Sequence, residues 1–188
     1  MIQYEELTLA DVWLLTPQIH GDERGSFTEV LRYPEFSERV CTRPFVQENE
    51  AFSTRGVLRG LHLQKGADAQ AKLVRCIKGA IVDVIVDLRH QSPSQSYGHY
   101  LAVRLDDQKK QQLYVPRGFA HGYLVLSEEA IVSYKVDNGY APQSEVHIHP
   151  FDPIIGVNWS LYGIDQKDFI LSERDLRGIS LSDYHIED

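Results

Sequence analysis

Short apolar runs closed by glycine or proline recur through most of this chain with almost no helical periodicity, and that pattern constrains the fold more than any other feature. Residues 11–15 read as a strand stopped by Pro17, and residues 26–32 alternate with period two as a second, with the turn Gly21-Asp22-Glu23-Arg24-Gly25 between them. Residues 34–40 are the first plausible helix, having proline at the start and Glu35 in the first turn. Further strands are expected at 45–49, through 57–64, and at 72–77, the last joined to 80–88 by a Lys78-Gly79 hairpin turn. After a polar loop at 91–98 the pattern resumes at 100–105, 112–115, 122–126 and 130–136. Many short strands at close spacing point to an all-β antiparallel sandwich or jelly-roll barrel with a few short peripheral helices. The tail, from about residue 159, is expected to pack over the barrel through a loop and one or two short helices. Residues 81–88 are apolar on both faces apart from Asp83 and Asp87, as suits a strand inside a sandwich.

A chain of 188 residues can bury a full hydrophobic core, and we expect one domain over residues 1–188. Cys41 and Cys76 form no Cys-x-x-Cys spacing, which points to a reducing cytoplasm rather than a disulfide framework. The first thirty residues hold no continuous apolar run, so neither a signal peptide nor a membrane span is expected. Nineteen Lys and Arg against 27 Asp and Glu give a net charge of -8, which opposes binding to nucleic acid or an anionic membrane. An anionic ligand would therefore need a local basic pocket, for which Arg24, Arg59, Lys72 and Arg75 are the candidates.

Three of those four fall in one stretch. Residues 56–64 and 70–75 set Arg59, His62, Gln64, Lys72 and Arg75 among apolar residues that read as core strand. Polar groups so placed cost a few kcal/mol each unless something satisfies them, which makes the stretch the expected floor of an active site. Period two places Arg59 and His62 on opposite faces, which either a bulge at Gly60 or an Arg59 serving a neighbouring ligand region would reconcile. The run Pro116-Arg117-Gly118-Phe119-Ala120-His121 follows the second motif of cupin barrels, which projects a histidine inward. The first cupin motif needs His-x-His, and here the chain has His62-Leu63-Gln64, so a metal-free barrel without cofactor is expected. His147-Ile148-His149 reads as a surface strand edge rather than a metal site, because no third ligand is adjacent.

The ordered runs Gly21–Gly25, Phe45-Val46-Gln47-Glu48-Asn49, 57–62, Lys72-Leu73-Val74-Arg75, Val86-Asp87-Leu88-Arg89 with Ser92-Pro93, 116–122, Tyr134-Lys135 and Leu171-Ser172-Glu173-Arg174-Asp175 span most of the chain. In this order they resemble the dTDP-4-dehydrorhamnose 3,5-epimerase family, metal-free cupins that act on nucleotide-linked 4-keto-6-deoxy sugars. The resemblance implies a base at His62 oriented by Asp175, an enolate-stabilising Lys72 and an acid at Tyr134. It further implies substrate contacts at Arg24, Glu29, Gln47, Asn49, Arg59, His121 and Tyr140, with Arg24 reaching from the second subunit of a homodimer. Taken alone, His62 could be a hydrogen-bonded core residue, Tyr134 barrel packing and Asp175 a helix cap; the ordered set favours the functional reading.

Family members commonly carry aromatics where this chain has His20, Ser26 and Leu63, and serine at Ala51, and the loop Ser94-Gln95-Ser96-Tyr97 is longer. His20 and Ser26 flank Arg24, which leaves the base open between thymidine and cytidine. The alternatives are a mono-epimerase acting on a CDP-linked 4-keto sugar, a non-catalytic nucleotide-sugar-binding module and a metal-dependent cupin oxygenase.

Overall fold

The computed structural model describes residues 1–91, 93 and 95–184. Its strands in chain order are β1 (Ile2–Glu6), β2 (Trp13–Pro17), β3 (Ile19–Asp22), β4 (Gly25–Thr28), β5 (Gln47–Thr54), β6 (Leu58–Gln64), β7 (Lys72–Lys78), β8 (Ala80–Asp87), β9 (Tyr100–Asp106), β10 (Gln112–Val115), β11 (Phe119–Val125), β12 (Glu129–Val136) and β13 (Glu145–His147). Two α-helices, α1 (Tyr33–Arg39) and α2 (Glu173–Leu176), complete the set with several 3-10 turns. One antiparallel sheet runs β1-β2-β10-β7-β12-β5, a second runs β13-β6-β11-β8-β9, and β3 with β4 makes a separate ribbon. This is an all-β, cupin-like jelly roll. Among the described residues no helix is long and apolar enough to cross a membrane. Ser92 and Ser94, named above in a matched run and a long loop, lie outside the described residues.

Apolar side chains fill three layers. Between the sheets, Val74, Cys76, Leu113 and Val132 meet Ile81, Ile85, Tyr123 and Val125. On the outer face of the five-stranded sheet, Val82, Val84 and Val86 pack under Trp159, Ile164 and Leu181 of the tail. Full burial of a side chain of this kind contributes about 1.5–3 kcal/mol, so β8, buried along its whole length, anchors both layers. That explains why residues 81–88 lack a polar face. The third layer sets Phe36 of α1 on Leu15, Leu73 and Tyr114, with the Phe36 and Tyr114 rings 5.6 Å apart in an edge-on arrangement.

The two aspartates of β8 are wholly buried and hydrogen-bonded. Asp87 receives Nε and Nη2 of Arg89, each at 2.9 Å, and the Ser96 hydroxyl at 2.7 Å. Asp83 meets His121.

Several strand boundaries differ from the sequence pattern. The Lys78-Gly79 hairpin is not one: β7 lies between β10 and β12, whereas β8 lies between β11 and β9 in the other sheet. Gly79, at φ +81°, turns the chain from sheet to sheet, and a Cβ there would stand 2.1 Å from the Glu129 carbonyl oxygen. The corner's amides are satisfied by side chains, Gly79 N donating to Asp107 Oδ2 at 2.7 Å and Ala80 N to Ser127 Oγ at 2.9 Å. A local turn signal carries no information about which sheet receives the next strand. The strand expected at 26–32 ends at Thr28, and the one at 45–49 continues to Thr54. Strand β1 escaped notice because it is an edge strand exposing Gln3, Glu5 and Glu6.

Candidate active site

Strand β6 collects the site. Its antiparallel register with β11 pairs His62 with His121 but Arg59 with Tyr123, so the β6 residues Gly60 and Leu61 stand against Gly122 alone. That is a bulge, and it brings Arg59 and His62 to one cavity despite their spacing of three. Gly60 has φ +111°, and a Cβ on it would lie 2.6 Å from Gly122 Cα, so no other residue fits this backbone approach. The Gly60–Leu61 peptide is cis.

The tail closes over the same strand. Ile170 bridges Val57, with Leu58 N donating to the Ile170 carbonyl at 3.0 Å and Ile170 N to the Gly56 carbonyl at 2.9 Å. Ser172 then caps α2, its hydroxyl accepting Asp175 N at 3.2 Å and donating to Asp175 Oδ2 at 2.7 Å. Asp175 Oδ1 lies 2.5 Å from His62 Nε2 and also accepts Gly60 N at 3.3 Å. Burial opposes ionisation of Asp175, but the hydrogen bonds from His62, Ser172 and Gly60 outweigh it and hold the carboxyl at about 2. Desolvation pushes the His62 imidazole below its ordinary value, and the Asp175 carboxylate only partly offsets this.

The resulting cavity, ≈ 550 Å³, has two walls. Arg59, His62, His121, Glu145 and His147 come from the five-stranded sheet, and Ala51, Lys72 and Tyr134 from the six-stranded one. Lys72 Nζ approaches the His62 carbonyl oxygen at 3.5 Å, and burial lowers its ammonium from 10.5 to about 8 against the pull of Asp83 and Glu145. Burial raises the Tyr134 phenol, with Arg59 opposing. Behind the wall, His121 Nε2 meets Asp83 Oδ1 at 2.7 Å.

The remaining expected residues divide. Gln47 and Asn49 share the face of β5 that carries Ala51, and Gln47 binds Asn49 Oδ1 at 2.8 Å and the Tyr140 amide at 3.3 Å. The Tyr140 hydroxyl donates to Glu145 Oε2 at 3.0 Å, which ties this group to a lining residue, although none of the three lines the cavity itself. Arg24 and Glu29 lie outside the cavity of this chain: Arg24 is 85% exposed and paired with Asp22, and Glu29 is paired with Arg32 at 2.7 Å. Arg75 is a correction to the expected basic pocket, because period two along β7 turns it to the face opposite Lys72. Gln64 serves structure, its amide donating to the Asp68 and Gly139 carbonyls and accepting Ala141 N.

His147 is a second correction. Strand β13 is the edge of its sheet, as expected, but His147 faces the cavity rather than the surface: β13 pairs it directly across from His62, with the two rings 4.2 Å apart at 61°. His149 lies past the end of β13, its Nδ1 accepting the Phe151 amide at 3.2 Å. Glu145, one turn of the pleat away, accepts Arg174 Nη2 at 2.6 Å and stands 3.4 Å from His147 Nε2. Burial opposes its ionisation, and the Tyr140 and Arg174 hydrogen bonds prevail to lower it. A strand of three residues leaves no periodicity by which Glu145 could be found or His147 turned toward the cavity.

Fold and site together define a cupin-type barrel fitted for proton transfer at carbon. The family model for dTDP-4-dehydrorhamnose 3,5-epimerase matches residues 6–183, and the chain belongs to that family of isomerases. A dTDP-4-dehydrorhamnose 3,5-epimerase of Methanothermobacter thermautotrophicus is 46% identical over 162 residues, covering 86% of this chain and 85% of its own length. The crystal structure of the Elizabethkingia anophelis enzyme of that name superposes with a TM-score of 0.90 at 42% identity, covering 97% of each chain. A dTDP-6-deoxy-D-glucose-3,5-epimerase from Legionella pneumophila, solved in complex with dTDP-4-keto-L-rhamnose, gives 0.91 at 35% identity, covering 98% of this chain and 95% of its own.

Proposed function

We propose that this enzyme inverts carbon 5, carbon 3 or both of a nucleotide-diphosphate-linked 4-keto-6-deoxyhexose in deoxysugar biosynthesis, with thymidine as the nucleoside. The 4-keto group acidifies the hydrogens on both neighbouring carbons. His62 takes one of them, the C–H electron pair moves into the ring, and the charge comes to rest on O4. With Nε2 facing Asp175, Nδ1 is the accepting nitrogen, and burial keeps the imidazole neutral near pH 7. Asp175 holds the ring and stabilises the imidazolium once formed, as in a triad. Lys72 donates to the enolate oxygen, where a fixed cation is worth several kcal/mol. Tyr134, kept protonated by its raised value, returns a proton from the opposite side. No electrons are gained or lost, and the two residues recover their protonation states from solvent.

The observation that carries this reading is the disposition of the walls: the His62–Asp175 pair and Tyr134 enter one cavity from opposite sheets. Arg59 supplies the guanidinium fork for the diphosphate. Gln47, Asn49, His121 and Tyr140 contact the sugar end from rim and wall. Incubation with 4-keto-6-deoxyglucose linked to thymidine or cytidine diphosphate in heavy water tests it, because each centre that is deprotonated takes up one deuteron. One deuteron indicates a mono-epimerase and two a 3,5-epimerase; exchange in neither substrate refutes the assignment. Faster exchange with the cytidine compound would favour the CDP reading, which rests on His20 and Ser26 lining the ribbon with Arg24.

We further propose that the chain acts as a single domain and a cytoplasmic homodimer, with no nucleic-acid or membrane partner. Among the described residues the β3–β4 ribbon pairs with no other strand, and it leaves Phe27 73% exposed beside Arg24, which suits a segment that reaches a neighbouring subunit.

A further inference from the structure

The His62–Asp175 pair accounts for two members of a tighter cluster. His62, His147 and Asp175 each offer one ligand atom, and the three atoms lie within 4.8 Å of one another. His147 Nδ1 is buried, has no hydrogen-bond partner and stands 3.9 Å from Asp175 Oδ1, too far for a hydrogen bond. A buried nitrogen left in this state is destabilising unless a ligand satisfies it. Two imidazoles and one carboxylate are a donor set that Zn²⁺ takes, with a fourth position for water. We propose that these three side chains form a Zn²⁺ site that the reaction does not use and whose occupation silences the enzyme.

The geometry requires movements of about an ångström, the separation of the two imidazole nitrogens, within 4.8 Å, closing by at most about 1.4 Å. Ligand atoms about 2.0–2.1 Å from a tetrahedral ion stand roughly 3.4 Å from one another. The 3.9 Å separation must close by about half an ångström, and the 2.5 Å separation of His62 Nε2 from Asp175 must open by under one. The proton now shared by His62 and Asp175 leaves as the metal enters. Outer-shell support is present: with Nδ1 on the metal, His147 Nε2 carries the proton and faces Glu145 Oε2 at 3.4 Å. Arg174, now 3.0 Å from Nε2 and 2.6 Å from Glu145, would turn wholly to the carboxylate. A carboxylate behind a metal-bound imidazole is the arrangement that fixes tautomer and ring orientation.

Inhibition, unlike binding, rests on His62 being the base. Zn²⁺ on Nε2 removes Asp175 as the partner of the imidazolium and places two positive charges against a ring that must accept a proton.

The test is calorimetric titration of the metal-free full-length protein with ZnCl₂, with Co²⁺ as a spectroscopic substitute. The expected result is one site per chain, a visible Co²⁺ band of four-coordinate type, and turnover lost on zinc addition and restored by EDTA. His147→Phe keeps a ring on His62 but no ligand atom, and should weaken zinc binding by roughly 10²-fold or more and remove zinc sensitivity from whatever turnover it retains. His147→Ala, checked for folding by circular dichroism, should do the same, whereas His149→Ala should bind as wild type. Wild-type affinity in both His147 variants, no binding to wild type at micromolar zinc, or full turnover with the site occupied would each overturn the proposal. Failure of the reaction assignment is distinguishable, since it would appear as absent turnover in metal-free protein whose zinc titration is intact.

Discussion

Lys72 should weaken the fold that it serves. Its ammonium falls from 10.5 to about 8 chiefly through burial, a change equivalent to about 3 kcal/mol of unfavourable charge at neutral pH. Lys72 is only half-buried by surface, and cavity solvent screens part of that, so about 1–3 kcal/mol is the working figure. The folded value lies below the unfolded one, so the unfolded chain binds the extra proton between pH 8 and 10.5 and wild-type stability rises across that window. Lys72→Met keeps the length of the side chain and removes the charge. We expect it to be about 1–3 kcal/mol more stable than wild type at pH 7, roughly 3–10 °C in Tm for a chain of this size, and to lose this advantage by pH 10. Turnover should fall by about 10² or more, because the enolate loses its cation. Urea unfolding at pH 7 and pH 10, at one fixed protein concentration, measures the difference. A Lys72→Met protein no more stable than wild type at pH 7, or one whose advantage is the same at both pH values, would refute the reasoning.

His62→Ala should abolish solvent exchange and inversion together, whereas Tyr134→Phe should still wash deuterium in from the His62 side while inversion slows by ~10²-fold or more; equal inversion by Tyr134→Phe and wild type would move the acid to another residue. Turnover should hold below pH 6.5, because burial lowers His62 and Asp175 stays ionised down to about 2, and should decline above about 8 as Lys72 loses its proton. Lys72→Arg should lift that alkaline limb in whatever activity remains, since a guanidinium does not titrate there; a pH profile unchanged by it would assign the limb elsewhere. Sedimentation at micromolar concentration should report a dimer, and a monomer would leave Arg24 with no route to the cavity.

What could be read in the sequence follows how locally each feature is determined. Strand β10 falls where the pattern places it, and β8 was recognisable because a strand buried on both faces has no polar residue to spare except ones that are themselves hydrogen-bonded. Helix α1 announced itself through Pro34 and Glu35. The conflict between Arg59 and His62 left two outcomes open, a bulge or an Arg59 serving a neighbouring ligand region, and the register shift at Gly60 selects the bulge. Features set by distant partners stayed hidden. Gly79 has the appearance of a hairpin turn, but the hydrogen-bonding edges of β7 are taken by β10 and β12, and only tertiary structure decides that. Arg75 seemed to belong with Lys72 by proximity in the chain, and the pleat separates them.

His147 shows the same limit more sharply, and it also explains why the site sits on β6. That strand has β11 on one side, β13 on the other and the tail along its start, and each neighbour delivers one ionisable side chain to the same place: His121, His147 and Asp175. Only the bulge lets a single strand do this, because the extra residue turns Arg59 inward without losing the pairing that sets His62 against both neighbouring histidines. The close passage of Gly60 over Gly122 also leaves the Gly60 amide pointing at Asp175, which ties the carboxylate to the strand whose histidine it orients. A histidine and an aspartate 113 positions apart are thus held at hydrogen-bond distance by backbone as well as by side chain. Two glycines at this crossing are therefore as much a part of the proposed proton-transfer apparatus as the groups that titrate, although neither can carry a proton.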